Sequence, residues 1–262
     1  MAASPLSSGT GPSHAWRMSL AWDGTAYAGW QRQPNGTAIQ EVVENALGVL
    51  FHGEAIGARA AGRTDAGVHA ALQWVAFDPP VAIEARRLVA SMNGLLPQDI
   101  ACLDAVAVPL GYSPREAVAR KHYRYRILNR PERCPFRHRF TWHLRTPLEV
   151  DAMAGGAAHL VGRHDFSAFR AAGCGARTTV RTIERSEVRR DGDEVQLDFV
   201  GDAFLRYQVR IMVGTLLDVG LGRKRPDDVR EILASRDRSR AGRTAGAQGL
   251  WLLGLTERTG EW

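Results

Sequence analysis

Residues 61–69 read Ala-Gly-Arg-Thr-Asp-Ala-Gly-Val-His, and this string constrains the fold more than any other part of the chain. Gly62 and Gly67 allow the backbone a positive φ and a close approach to a ligand. The residues before it, 55–61, read as a strand, and Gln73 to Phe77 read as another. The string is therefore a loop held between two strands, with Asp65 near its centre and Arg63 two residues away. A carboxylate displayed there beside a cation can serve as a nucleophile, a base or a metal ligand. The plainer alternative is an Asx turn, in which Asp65 bonds its own backbone.

The rest of the chain alternates strands and helices. Trp16 to Trp22 alternates apolar and polar residues and predicts a strand. Thr37-Ala38-Ile39-Gln40 has the spacing of a capping box and predicts a helix through about Phe51, with Ile39, Val42, Val43, Leu47 and Leu50 at helical spacing. A helix from about Ile83 to Met92 and a strand from Ile100 to Val108 follow. In Lys121 to Leu128 the alternation puts Tyr123, Tyr125 and Ile127 on one face of a strand. Pro131 to Pro135 marks the boundary between halves. The second half then predicts a helix from Thr146-Pro147 to about Val161, two strands around the Asp191-Gly192-Asp193 turn, and a helix from Phe204 to Val219 ending at Gly220. A short helix from Pro226 to Ala234 and a strand from Leu250 to Leu255 close the chain.

This order makes the chain an α+β protein of two related halves sharing a sheet, with a cleft between them. The expected divisions are a disordered tail over 1–15, an N-terminal half over 16–130 carrying the Asp65 loop, and a C-terminal half over 131–262 completing the cleft. The tail is rich in Ser, Pro, Gly and Ala and lacks the basic and apolar regions of a signal peptide.

The 262 residues suffice for one large or two modest domains. The net charge is +6, and Lys121 and Lys224 are the only lysines, so almost all of the cationic charge is arginine. Arginine suits bidentate phosphate contacts and stacking on bases, which favours a polyanionic partner. GC-rich coding would also enrich arginine. Cys102, Cys134 and Cys174 are scattered and odd in number, and no CxxC pair occurs. Neither a disulfide framework nor a zinc site is suggested, and a reducing cytoplasm is the expected location. No run of 18 apolar residues predicts a membrane span.

Several spaced elements together resemble the bacterial tRNA pseudouridine synthase A family, which acts at tRNA positions 38 to 40. They are Asp23-Gly24, Gly29-Trp30-Gln31-Arg32-Gln33, the 61–69 string, Arg115 with Tyr123-Arg124-Tyr125, and Asp165-Phe166-Ser167-Ala168-Phe169. Arg177, Phe204 with Val209-Arg210, and Gly249-Leu250 complete the set. They span residues 23 to 250 in family order. The resemblance implies ferredoxin- or RRM-like halves on a mixed, mostly antiparallel sheet with a central active-site cleft. It implies isomerisation of uridine to pseudouridine in the anticodon stem-loop of tRNA, by breaking the N1–C1′ bond, rotating the uracil and rejoining it through C5. Neither a cofactor nor a metal is implied. The implied partners are tRNA and a second copy of the chain, since the family works as a homodimer.

The resemblance also implies roles. Asp65 is the catalytic carboxylate, Arg210 the arginine that pairs with it, and Tyr123 the ring that stacks on the target uracil. Arg63 takes the place of the flipped nucleotide, offsetting the few kcal/mol that extrusion costs. Arg115 and Arg177 match segments that contact tRNA. His69 has two readings from the residue itself, a phosphate or ribose contact and a satisfied loop histidine. There are departures from the family pattern: Glu116 replaces an aromatic, Ala117-Val118 a Ser-Ala pair, and Gln208 a methionine, and residues 242–247 lack a proline. Two other readings compete. A metal-dependent nuclease or phosphohydrolase would need Asp23 and Asp65 as paired carboxylates. A non-catalytic RNA-binding module would use Tyr123 and the basic charge alone.

Overall fold

β1 (Ala15–Trp22) and β4 (Ile100–Val108) begin the assembly, packing antiparallel at one edge of the sheet. The computed structural model describes residues 14–258. The tail expected over 1–15 thus lies almost wholly outside the described residues, and Ala15 already belongs to β1. The other strands are β2 (Arg59–Ala60), β3 (His69–Phe77), β5 (Val118–Asn129), β6 (Trp142–Leu144), β7 (Gly162–Asp165), β8 (Val180–Asp191), β9 (Glu194–Gly201) and β10 (Leu250–Glu257). All belong to one sheet of order β4-β1-β3-β10-β5-β9-β8-β7, with β2 added to β3 and β6 to β5. Only the β3–β10 and β5–β6 pairs are parallel, so the sheet is mixed and mostly antiparallel, as expected.

The helices are α1 (Ile39–Leu50), α2 (Ala85–Leu95), α3 (Pro114–Ala117), α4 (Val150–Ala158), α5 (Gln208–Gly220) and α6 (Asp228–Ser235). The core lies between them and one face of the sheet. Tyr125 and Ile127 are fully buried there, with Tyr123 nearly so, while Arg124 and Arg126 point to the opposite face and pair with Asp198 and Glu194 of β9. α5 is enclosed on nearly every side, which is why its sequence is apolar almost throughout.

The decisive placement is that of β10. It runs parallel to β3 and antiparallel to β5, so that Ala70, Leu252 and Tyr123 form one row across three strands. Adjacent strands are about 4.8 Å apart, which sets the end of the 61–69 loop about 10 Å from the Tyr123 backbone.

Three local expectations are corrected. Thr37 does not cap α1: Ala38 stands at that position, and the Gln40 amide donates instead to Glu44 and to the Ala58 carbonyl. α5 begins at Gln208 and not at Phe204, because Tyr207 adopts φ +62°, which a helix cannot contain. The strand expected over 55–61 shrinks to Arg59–Ala60. β6 and β7 were not anticipated, being three and four residues long without apolar alternation. Among the described residues no helix is long and apolar enough to cross a membrane.

α5 also fits tightly along a neighbouring segment. A Cβ on Gly214 would overlap the Arg243 carbonyl. Gly214→Ala is therefore expected to cost about 1–3 kcal/mol through forced displacement. At roughly 2–4 °C per kcal/mol, calorimetry should show a fall of several degrees in the thermal midpoint.

Candidate active site

The loop that carries Asp65 is clamped through its main chain. The Lys121 ammonium donates to the Ala61 carbonyl at 2.9 Å, and the Gln73 amide donates to the Gly62 carbonyl at 2.8 Å. On the far side Trp30 N–H donates to Thr64 O at 3.1 Å, Gly67 N–H to Tyr27 O at 3.2 Å, and the Trp22 indole to Val68 O at 3.1 Å. This approach requires glycine at two positions. Gly29 has φ +97°, and a Cβ there would stand 2.6 Å from Thr64 O; at Gly24 it would overlap the Val68 carbonyl. Segment 23–30 thus acts as a brace, and Val68 N–H closes a turn onto Asp65 O at 3.1 Å.

Asp65 projects from this braced turn toward the start of α5. An Arg210 Nη1 lies 3.8 Å from its Oδ2, and 24% of the Asp65 side chain remains exposed. Burial pushes the Asp65 carboxyl above its ordinary value, while the Arg210 and Arg206 guanidiniums pull it back down. Arg210 is itself held: its Nε donates to Ala245 O at 2.7 Å, and its guanidinium lies 4.7 Å from the Tyr207 ring centre. Arg206, exposed, lies over the same ring at 5.0 Å and also interacts with the Tyr207 hydroxyl. Its main-chain oxygen accepts from Ala171 N–H, which ties the 170–177 segment to the site.

Tyr123 is enclosed, with its ring edge-on to Phe204 at 5.1 Å. Burial first, and then the Asp65 charge, push its phenol well above the usual range, so the hydroxyl stays protonated. His69 has no surface exposure. Its Nδ1 accepts from Gly24 N–H at 3.0 Å, leaving Nε2–H to donate to Gln248 O at 3.2 Å. The ring is stacked on Trp251 at 4.5 Å. Asp23 Oδ1 lies 3.2 Å from Nδ1, but that nitrogen carries no proton in this tautomer, and burial holds the imidazole below its usual pKa. With both ring nitrogens partnered, His69 takes the place of a satisfied loop histidine, the second of its two readings from the sequence, and braces the loop.

The other expected residues divide. Arg63 is exposed on the loop itself, two residues before Asp65. Arg115 is exposed on α3, within electrostatic reach of Lys121, whose amine burial and the charges of Arg115 and Arg181 bring down to about 8. Arg177 is exposed in the segment tied to Arg206. None of these three arginines enters an ion pair among the described residues. Asp23 does not form a carboxylate pair with Asp65. It accepts from Thr25 and pairs with Arg139, whereas the charged neighbours of Asp65 are arginines. Sequence reasoning missed Arg206, Tyr207 and Lys121. Arg206 stands four residues before Arg210, a spacing that was available as a signal.

Comparison with known proteins gives this geometry a lineage. A family model described as tRNA pseudouridine synthase matches residues 157–255. The chain is 45% identical over 237 residues to tRNA pseudouridine synthase A of Geotalea uraniireducens (strain Rf4), covering 90% of this chain and 97% of that relative. It is 47% identical over 245 residues to tRNA pseudouridine synthase A of Myxococcus xanthus, covering 93% and 92%. The corresponding protein of Pelobacter propionicus is 45% identical over 240 residues, covering 92% and 98%.

The chain belongs to the tRNA pseudouridine synthase A family. Membership makes it an enzyme of the isomerase class. The matched family model includes Arg177, Arg206 and Arg210, while the full-length relatives extend the likeness over about nine-tenths of the chain. Two departures from the family pattern now have a local explanation. Glu116 faces solvent on α3, and Gln208 is buried, its Oε1 accepting from Leu205 N–H at 2.7 Å just before α5.

The His69 environment has a consequence for stability. The native imidazole resists a proton that the unfolded chain accepts near the ordinary histidine value of about 6.5. Stability is therefore lost as pH falls below that value, until the native pKa is reached. His69→Gln removes this contribution, so its urea midpoint should fall less than that of the wild type between neutral and mildly acidic pH.

Proposed function

We propose that the chain isomerises uridine to pseudouridine at positions 38, 39 and 40 of the tRNA anticodon stem-loop, with Asp65 as the catalytic carboxylate. The observation that carries this reading is the placement of Asp65 on a braced turn, facing Arg210 and with its other charged neighbour also a cation. Guanidiniums beside a part-buried carboxylate oppose the loss of its charge that burial favours and fix its direction. It can then act at the sugar or base as the N1–C1′ bond breaks and the uracil is rejoined through C5. The C5 proton is released and N1 gains one.

The neighbouring residues take complementary parts. Tyr123, kept protonated, offers a ring for the uracil and a donor hydroxyl. Arg63, exposed beside Asp65, fills the space left when the nucleotide is flipped out, which recovers part of the unstacking cost. Arg115 and Arg177 bind tRNA phosphates. Their lack of carboxylate partners supports this, and such contacts fix register without reading sequence. His69 braces the loop through Gly24 and Gln248. The protein acts as a cytoplasmic homodimer on tRNA, so light scattering at working concentration should report twice the chain mass.

The test is tritium release from a tRNA transcript labelled at uracil C5. Asp65→Asn should lower the rate by at least about 10²–10⁴-fold while tRNA binding is retained, and appreciable turnover would overturn the assignment. Because burial raises the Asp65 pKa and Arg210 opposes that rise, the acid limb of kcat/KM should lie above the ordinary carboxylate value. It should move to higher pH in Arg210→Gln. Arg115→Ala and Arg177→Ala should weaken tRNA binding and flatten its salt dependence, leaving single-turnover chemistry at saturation nearly unchanged.

A further inference from the structure

Tyr207 is one of three non-glycine residues with positive φ among the described residues, at +62°. That conformation is disfavoured for an L side chain and relaxed for glycine or asparagine. A side chain kept there against backbone preference points to a use for the side chain itself. Both guanidiniums that bear on Asp65 pack on this one ring, Arg206 at 5.0 Å and Arg210 at 4.7 Å from its centre.

The backbone turn is what makes this possible. Had α5 continued back through residue 206, Arg206 and Arg210 would be i, i+4 neighbours on a helix face, where like charges repel. The left-handed turn at 207 ends the helix and puts an aromatic face against both cations. Arg210 has no carboxylate partner besides Asp65 among the described residues, and its Nε is fixed by Ala245 O. The ring thus takes the part that a counter-ion would otherwise play, through the attraction of a cation to a π face.

Resting on the reading of Asp65 as the catalytic carboxylate, we propose that Tyr207 is a positioning residue. Its ring gathers Arg206 and Arg210 into a two-cation clasp around the Asp65 carboxylate. The groups facing Asp65 are Arg210 from α5, Arg206 from the turn before it, and Tyr123 from β5, whose phenol is neutral. Cys174, from the 170–177 segment, lies near Arg206 and not against Asp65.

Three variants separate the possibilities. Tyr207→Phe keeps the ring, Tyr207→Asn accepts the positive φ but removes the ring, and Asp65→Asn removes the carboxylate. Two quantities are read: the pH profile of single-turnover tritium release, and the carboxyl titration of Asp65 in the free protein by ¹³C NMR, assigned by its disappearance in Asp65→Asn. Tyr207→Phe keeps the ring against Arg210 but loses the contact of the Tyr207 hydroxyl with Arg206, so it should shift both by less than half as much as Tyr207→Asn. Tyr207→Asn should shift the Asp65 titration and the acid limb together to higher pH, slow turnover about threefold to tenfold on that limb with recovery at higher pH, and leave KM for tRNA nearly unchanged. Should Tyr207→Asn fail to fold by circular dichroism, Tyr207→Gly serves the same purpose, since glycine also accepts the turn. An unshifted Asp65 titration in a folded ring-less variant overturns the proposal, as does an equal shift in Tyr207→Phe. Sustained activity of Asp65→Asn would instead overturn the catalytic reading of Asp65, a result separate from the titration.

Discussion

β10 hydrogen-bonds to β3 on one side and β5 on the other, and the site takes its geometry from that pairing. The strand comes from the end of the described chain, yet it lies at the sheet's centre, between the strand that leaves the Asp65 loop and the strand that carries Tyr123. Main-chain hydrogen bonds of a ladder fix register to a single residue, since a slip by one would turn every side chain to the opposite face. The register Ala70–Leu252–Tyr123 therefore sets the distance between the carboxylate loop and the Tyr123 ring. The same strand carries Trp251, whose indole stacks on His69 and so steadies the far end of the loop.

Within that frame the electrostatics are arranged around one difficult group. Enclosing a carboxylate is costly unless cations or donors accompany it. Asp65 has two guanidiniums, one of them anchored by a main-chain carbonyl, and a phenol that its own charge helps to keep neutral. The brace of residues 23–30 supplies rigidity by main-chain contact, which side-chain substitution cannot readily disturb except at the two glycines that permit it.

The arginines, numerous as they are, do different things. On the outer face of β5, Arg124 and Arg126 are committed to Asp198 and Glu194, carboxylates that are themselves almost fully buried. Such pairs are weak evidence of net stability, because burying the carboxylates costs much of what the pairing returns. Arg63, Arg115 and Arg177 remain without a carboxylate, and all three are exposed on loops or a short helix. Net charge alone does not distinguish these groups, whereas the ion-pair pattern does, and it is the uncommitted set that a polyanion can use.

Much of the architecture was legible in the residues. The strand expected at 100–108 has its observed limits, and the Asp-Gly-Asp turn announced the β8–β9 hairpin, because both signals arise from neighbours in sequence. The family motifs likewise placed Asp65, Tyr123 and Arg210 together as a set. Local pattern failed where contacts from elsewhere in the chain outweighed it. Gln40 left its capping role to bond Glu44 and Ala58, and His69, which could pass for a ligand on an open loop, is sealed by Gly24, Gln248 and Trp251. Arg206 and Tyr207 entered the site because a left-handed turn, invisible to helical periodicity, starts α5 four residues late. The sequence by itself determined which segments pair and which chemistry is available, since those follow from side-chain period and functional groups. Tertiary structure alone decided which of the polar groups are braces and which stay open around Asp65, because burial and charge neighbours are set by segments distant along the chain.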